Sequence, residues 1–154
     1  MKRIILIALV VLVGLSNALA AGEPERVGVY DSRAIAIAWA GTEPFITQMV
    51  ELKQRHKAAR EAGDAELAEQ LSRQGQAMQH RLHQQGFSTA PVDDILARFQ
   101  SEITTAMEQA GVKVIISKWD EARLAQYPSE ERVDVTMTLV DAMKTNEQQL
   151  AVLK

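Results

Sequence analysis

Three histidines are the side chains best suited to chemistry in this 154-residue chain, and His56, His80 and His83 all fall within one long helical stretch. His80 and His83 are three apart, so they share a helix face and could bridge a divalent metal. A hairpin turn centred on Gly63 would set His56 opposite about position 70, away from that pair, so a third ligand is missing and solvated helix positions are the better reading. Asp93 and Asp94 are the one adjacent pair of aspartates. Paired carboxylates can serve acid–base catalysis, but these follow Ser88, Thr89 and Pro91, where a helix would begin, and carboxylates in a first turn favour the positive end of the helix dipole. There is no cysteine, which excludes disulfides, thiolate metal sites, a cysteine nucleophile and a lipidated cysteine. A glycine-rich phosphate loop, a Gly-x-Ser-x-Gly elbow and a His-Glu-x-x-His zinc motif are also absent. These absences disfavour an enzyme, and neither a metal nor a cofactor is expected. Trp39 and Trp119 each follow an apolar or β-rich segment, which assigns them to core or subunit-interface packing ahead of ligand stacking.

The first twenty residues stand apart from the domain that would carry these groups. Met1-Lys2-Arg3 is a basic start, Ile4 to Leu15 is an apolar run interrupted late by Gly14, and Ala18-Leu19-Ala20 offers small residues where a signal peptidase reads. The run is too short to span a membrane, so cleavage after Ala20 is expected, giving a periplasmic protein that begins at Ala21 and has no stable membrane insertion. The leader holds two of the seventeen basic residues and none of the twenty acidic ones, so the remainder carries a net charge of −5 and is about 43% apolar. An acidic, aromatic-poor chain argues against nucleic acid or an anionic membrane as partner.

Residues 21–154 read as a single, mostly helical α+β domain. Arg26 to Asp31 and Val112 to Ser117 read as strands, and a long helical crossover between them implies that they are parallel. A third extended piece is expected near Arg123 to Tyr127, stopped by Pro128. Ser32 could cap a short helix carrying Ile35 and Trp39, although Ala34 to Ala40 also alternates in a strand-like way; helix is favoured. Thr42 is the expected N-cap of a long helix whose Phe45, Met49, Leu52, His56 and Ala59 form a narrow seam. Gly63 and Asp64 turn the chain, and the returning helix carries Leu67, Leu71, Met78 and Leu82, with Gln74 and Gly75 weakening the stripe. Across that turn Arg60 would face Glu66 and Lys57 would face Glu69. Gly86 to Pro91 breaks the return. A helix then runs from Val92 to Ala110 with Leu96, Phe99, Ile103 and Ala106 on its apolar face, ended by Gly111. Asp134 is placed to start a last helix with Val135, Leu139, Val140 and Met143 on one face, and Asn146 to Lys154 reads as an exposed tail.

Two or three short strands and a thin helical arm do not bury enough surface alone, so a single chain would expose strand edges and the apolar face of Val92 to Ala110. Assembly is expected to cover both. The strand residues Val27, Val29, Val112, Val114, Ile115 and Ile116 are the candidate oligomer interface. The architecture expected is a small β-rich oligomerisation body, about 21–41 and 111–145, with a projecting helical hairpin arm, about 42–110.

The opening strand Val27-Gly28-Val29-Tyr30-Asp31, the hairpin, and the closing Val112-Lys113-Val114-Ile115-Ile116 resemble the OmpH/Skp family of periplasmic chaperones. The run Ala125-Gln126-Tyr127, then Val133-Asp134-Val135-Thr136 to Leu139-Val140, is similar to that family's end. The resemblance implies a homotrimer whose arms hold unfolded outer-membrane proteins without ATP. Its arms are short here, the Gly86 to Pro91 break is unlike a continuous return, and the chain is acidic where the best-known members are basic. A holdase of this kind would bind clients through an apolar stripe that the arms leave partly open, for which Phe45, Met49, Leu71, Met78 and Leu82 are the candidates. The alternative is a periplasmic scaffold that binds one folded envelope partner.

Overall fold

The computed structural model describes residues 26–153, so the expected leader and its cleavage point lie outside the described residues. The described chain is mostly helical around a three-stranded, wholly parallel sheet. Strand β1 (Val27–Tyr30) is central, paired in parallel with β2 (Val114–Ser117) on one side and β3 (Arg132–Asp134) on the other. The helices are α1 (Ser32–Ala40), α2 (Glu43–Glu61), α3 (Ala65–Phe87), α4 (Asp93–Leu96), α5 (Gln100–Ala110), α6 (Glu121–Leu124), α7 (Thr136–Ala142) and α8 (Glu147–Leu153).

Local chemistry sets the strand ends. Gly111 is left-handed (φ 66°), and the amides of Gly111 and Val112 turn back to Glu108 O and Met107 O, which closes α5. Val112 is therefore spent on the helix, and β2 begins only at Val114. Asp31, not Ser32, caps α1: its carboxylate accepts from the Arg33 amide at 3.0 Å, while its own amide donates to Thr136 Oγ1 at 3.0 Å.

Parallel sheets are covered on both faces. Tyr30, Val112 and Val135 join Ile35, Trp39, Val92, Ile95, Phe99, Leu139 and Val140 in the main core. On the opposite face Val27 and Ile116 are buried under Leu124 of α6, with Val29, Val114 and Tyr127 around them. Gly28 lies where the first core comes closest to the sheet: a Cβ there would stand 2.9 Å from Val135 Cγ2 and 3.0 Å from Ile115 Cγ2. Gly28→Ala should accordingly cost about 1–3 kcal/mol through overpacking, read as a lower urea midpoint. An unchanged midpoint would mean that the sheet can move aside at no cost.

Several expectations need correction. The segment Arg123 to Tyr127 is not a strand, because Glu121–Leu124 is helical and the carbonyls of Leu124 and Tyr127 are taken by Arg132 Nη2 at 2.6 and 2.7 Å. The third strand lies further on, at Arg132–Asp134. The helix from Val92 is not continuous: a 3-10 turn, Ala97–Phe99, separates α4 from α5, and Phe99 sits at φ −121°, ψ 32°. The apolar face of that segment is not left open by a single chain, since Val92 (0%), Ile95 (1%), Ile103 (6%) and Ala106 (3%) are buried under α1 and α7. Residues 147–153 are not a frayed tail. The chain reverses through Lys144 (φ 52°), Thr145 Oγ1 donates to Ala38 O at 3.2 Å, Asn146 Nδ2 donates to Gly41 O at 2.9 Å, and Leu150 and Leu153 pack on the core.

Helix α1 is buried nearly all round, against α3, α7 and α8. Only Arg33, Ala34, Ile37 and Ala40 of α1 are even partly exposed, so its solvent face is thin and its sequence alternates like a strand.

Candidate functional site

The helical hairpin of α2 and α3 is the feature on which the expected function depends. Its turn is as the local chemistry dictates: Gly63 takes φ 73°, and Asp64 Oδ1 accepts from the Leu67 amide at 3.0 Å. Thr42 stands at the N-cap of α2 but makes no capping bond; its hydroxyl donates instead to Trp39 O at 2.8 Å, satisfying the end of α1. At the hairpin's root, the buried Gln85 donates through Nε2 to Pro91 O at 2.9 Å and to Asp94 Oδ1 at 2.8 Å, while Arg81 reaches Asp94 Oδ2 at 3.1 Å. Asp94 thus ties the end of α3 to α4. Gln85 was not singled out in the sequence, where it is one glutamine among many.

Of the five expected client-binding side chains, Leu71 is buried and Phe45, Met49, Met78 and Leu82 are half-buried. Leu71 is 3% exposed and closes the distal hairpin with Leu52, Ala59 and Ala68, and Met78 packs on the same cluster. Phe45 meets the Trp39 ring edge-on at 5.5 Å, and both Phe45 and Leu82 join the main core. Met49 is half-buried. The physical reason is mutual closure: two helices with narrow seams bury those seams against each other. Leu52 lies over Gly75, its Cδ2 3.4 Å from where a Cβ would stand, an ordinary contact distance. The most exposed large apolar side chains of the hairpin are Ile46 (44%) and Val50 (46%) on α2 and Phe87 (74%) at the end of α3. In the arm, Lys57 pairs with Glu61 at 3.7 Å and Arg73 pairs with Glu69, both within a helix and not across the hairpin as expected. A groove of about 410 Å³ near the tip is lined by His56, Arg60, Glu69 and Ser72. His80 is exposed, and His83 stacks on Phe87 at 4.8 Å. Among the described residues no three side chains of histidine, aspartate or glutamate come together as a metal site.

Of the candidate interface residues, Val27 (0%), Val112 (4%) and Ile116 (1%) are already buried within one chain, whereas Val29, Val114 and Ile115 are half-buried. Strands β2 and β3 are the two edges of the sheet.

The carboxyl ends of the three strands meet at a cleft of about 340 Å³ whose polar lining is Asp31, Lys118, Asp134 and Thr136. The Lys118 amide donates to Tyr30 O at 2.8 Å, which brings its ammonium to Asp31 Oδ2 at 2.5 Å. Burial alone would raise the Asp31 carboxyl, but the Lys118 ammonium, the Arg33 amide and the Trp119 indole N–H together hold it below the ordinary aspartate value. Burial, helped by the Asp93 carboxylate, pushes the Tyr30 phenol up to about 12, so it stays protonated near neutrality. Trp39 lies in the core, whereas Trp119 is 37% exposed within one chain, beside Arg33 and Lys118.

No family model, curated protein or solved structure matches this chain.

What remains chemically is a pair of surfaces. One is the outer face of the hairpin, with Ile46 and Val50 one helical turn apart. The other is the end of the sheet, where an aromatic ring and paired charges face solvent.

Proposed function

We propose that the chain acts in the periplasm as an ATP-independent holdase, a homotrimer that binds unfolded outer-membrane proteins, with the α2 and α3 hairpin as its arm and the sheet as its assembly body. The observation that carries this reading is the exposed apolar pair Ile46 and Val50 on a hairpin whose own core is already closed. A self-sufficient hairpin can present apolar side chains to a client without unfolding. The two sheet edges support assembly, because unpaired strand edges invite pairing.

The test is suppression of aggregation when a urea-unfolded outer-membrane β-barrel protein is diluted into the mature chain without nucleotide. Suppression is expected at near-equimolar arm concentration, and Ile46→Ser with Val50→Ser should weaken it about threefold or more while helical signal and oligomer size are kept. Leu71→Ala should instead lower helical signal, since that side chain closes the hairpin. Absence of suppression by the parent chain, together with capture of one folded envelope protein at fixed stoichiometry, would replace the holdase with a scaffold.

A further inference from the structure

The seam between α2 and α3 is closed at both ends and thin in the middle. Near the tip Leu52, Ala59, Ala68 and Leu71 form one cluster, and at the root Phe45 and Leu82 pack on the main core. Leu52 over Gly75, and Ala59 with Ala68 nearer the turn, fix the register between the helices. In an antiparallel pair each step back along α2 is a step forward along α3. Three residues from Leu52 and Gly75, that register sets Met49 opposite Met78, and four residues further on it sets Phe45 opposite Leu82. The layer that joins the two clusters is therefore a pair of methionines, both half-buried. Met78 packs on the tip cluster, and Met49 belongs to neither. Gly75 beside them adds no side chain. The chain has no cysteine, so its sulfur is all thioether. A thioether partly open to solvent can take up an oxygen atom, which turns a flexible apolar side chain into a polar one.

From this placement we infer that Met49 and Met78 form an oxidation site that loosens the hairpin: two-electron oxidants of the hypochlorous acid class convert both to sulfoxides, and the seam parts at that layer. In each step the thioether sulfur gives an electron pair to the oxygen of hypochlorous acid. An S–O bond forms, the O–Cl bond breaks, and chloride and a proton leave. A sulfoxide oxygen is a hydrogen-bond acceptor, and the side chains on either side, Leu52, Phe45 and Leu82, have no donor for it, so hydration favours opening. Met107 and Met137 are half-buried as well, but each lies against the main core, and an oxygen there leaves the hairpin seam untouched. Opening exposes Leu52 and Leu71 whether or not the arm holds clients.

The mature chain is treated with hypochlorous acid at rising molar ratio. Sulfoxides are mapped by peptide mass spectrometry, beside circular dichroism and the fluorescence of anilinonaphthalene sulfonate. Met49 and Met78 should be oxidised well before Met143, which is 2% exposed. As they are, dye fluorescence should rise severalfold and part of the helical signal should be lost. Methionine sulfoxide reductases of both epimer specificities should restore the parent values. Met49→Leu with Met78→Leu, helical before treatment, should lose the response, whereas Met107→Leu with Met137→Leu should keep it. Met49→Gln with Met78→Gln needs no oxidant: its polar side chains should raise dye binding in the untreated chain. Sulfoxides at both positions with unchanged dye and helical signal would overturn the inference. So would a response that persists in the Met49→Leu, Met78→Leu chain, or a Met49→Gln, Met78→Gln chain that binds no more dye than the parent. Met49 and Met78 that stay reduced while Met107 and Met137 are oxidised would overturn it too.

Discussion

Ile95→Asp should unfold the body outright, at every protein concentration. Ile95 is 1% exposed and sits in the main core with α1 and α7 around it. A carboxylate there has no cation to pair with in that apolar cluster, and burying an unpaired charge costs more than about 4 kcal/mol, a large part of the roughly 5–15 kcal/mol that holds a domain together. Ile95→Val should cost only about 1 kcal/mol, because it removes a single methyl group. The measurement is the circular-dichroism signal and urea midpoint at two widely separated concentrations. A folded, fully helical Ile95→Asp chain of altered oligomer size would show that this face meets another subunit and not the rest of its own chain. Ile115→Asp is the contrast. Ile115 is half-buried on an edge strand at the margin of the main core, so a charge there should cost the single chain less than at Ile95 and should weaken the proposed trimer as well.

Removing residues 144–154 should lower stability by about 2–4 kcal/mol, or on the order of 10 °C in Tm. The deleted piece carries the Thr145 and Asn146 hydrogen bonds to Ala38 O and Gly41 O, together with Leu150 and Leu153 on the core. Those bonds hold the end of α1, which in turn packs on α3, so the hairpin's root should loosen with the body. A calorimetric scan of the truncated chain decides it. An unchanged Tm would restore the reading of Asn146 to Lys154 as an exposed tail.

Both predictions turn on residues whose type was clear from the sequence and whose surroundings were not. Leu71 and Met78 are apolar at helical spacing whether the hairpin is open or shut. Only the packing of Leu52 over Gly75, with Ala59 and Ala68 beside Leu71, makes them a seam and leaves Ile46 and Val50 as the exposed pair. Trp119 likewise reads as core or subunit-interface packing, and only the folded chain shows it partly exposed, with Asp31, Arg33 and Lys118 around its ring.

What could be read directly were features whose cause is local. Gly63 and Gly111 take positive φ because only glycine does so cheaply, Asp64 caps the helix three residues before its acceptance from Leu67, and a long helical crossover makes β1 and β2 parallel. The mostly helical α+β class follows from those signals. The rest depends on residues that meet only when the chain is folded. Strand β3 is three residues long with charges at both ends, so it has no readable period and exists because β1 offers it a ladder. Strand β1 stops where the Asp31 amide finds Thr136, 105 residues away, and α8 docks where Thr145 finds Ala38, 107 residues away. Backbone preference acts over a few residues and leaves its mark in the sequence; burial depends on which distant side chains arrive together, and no spacing along the chain records that.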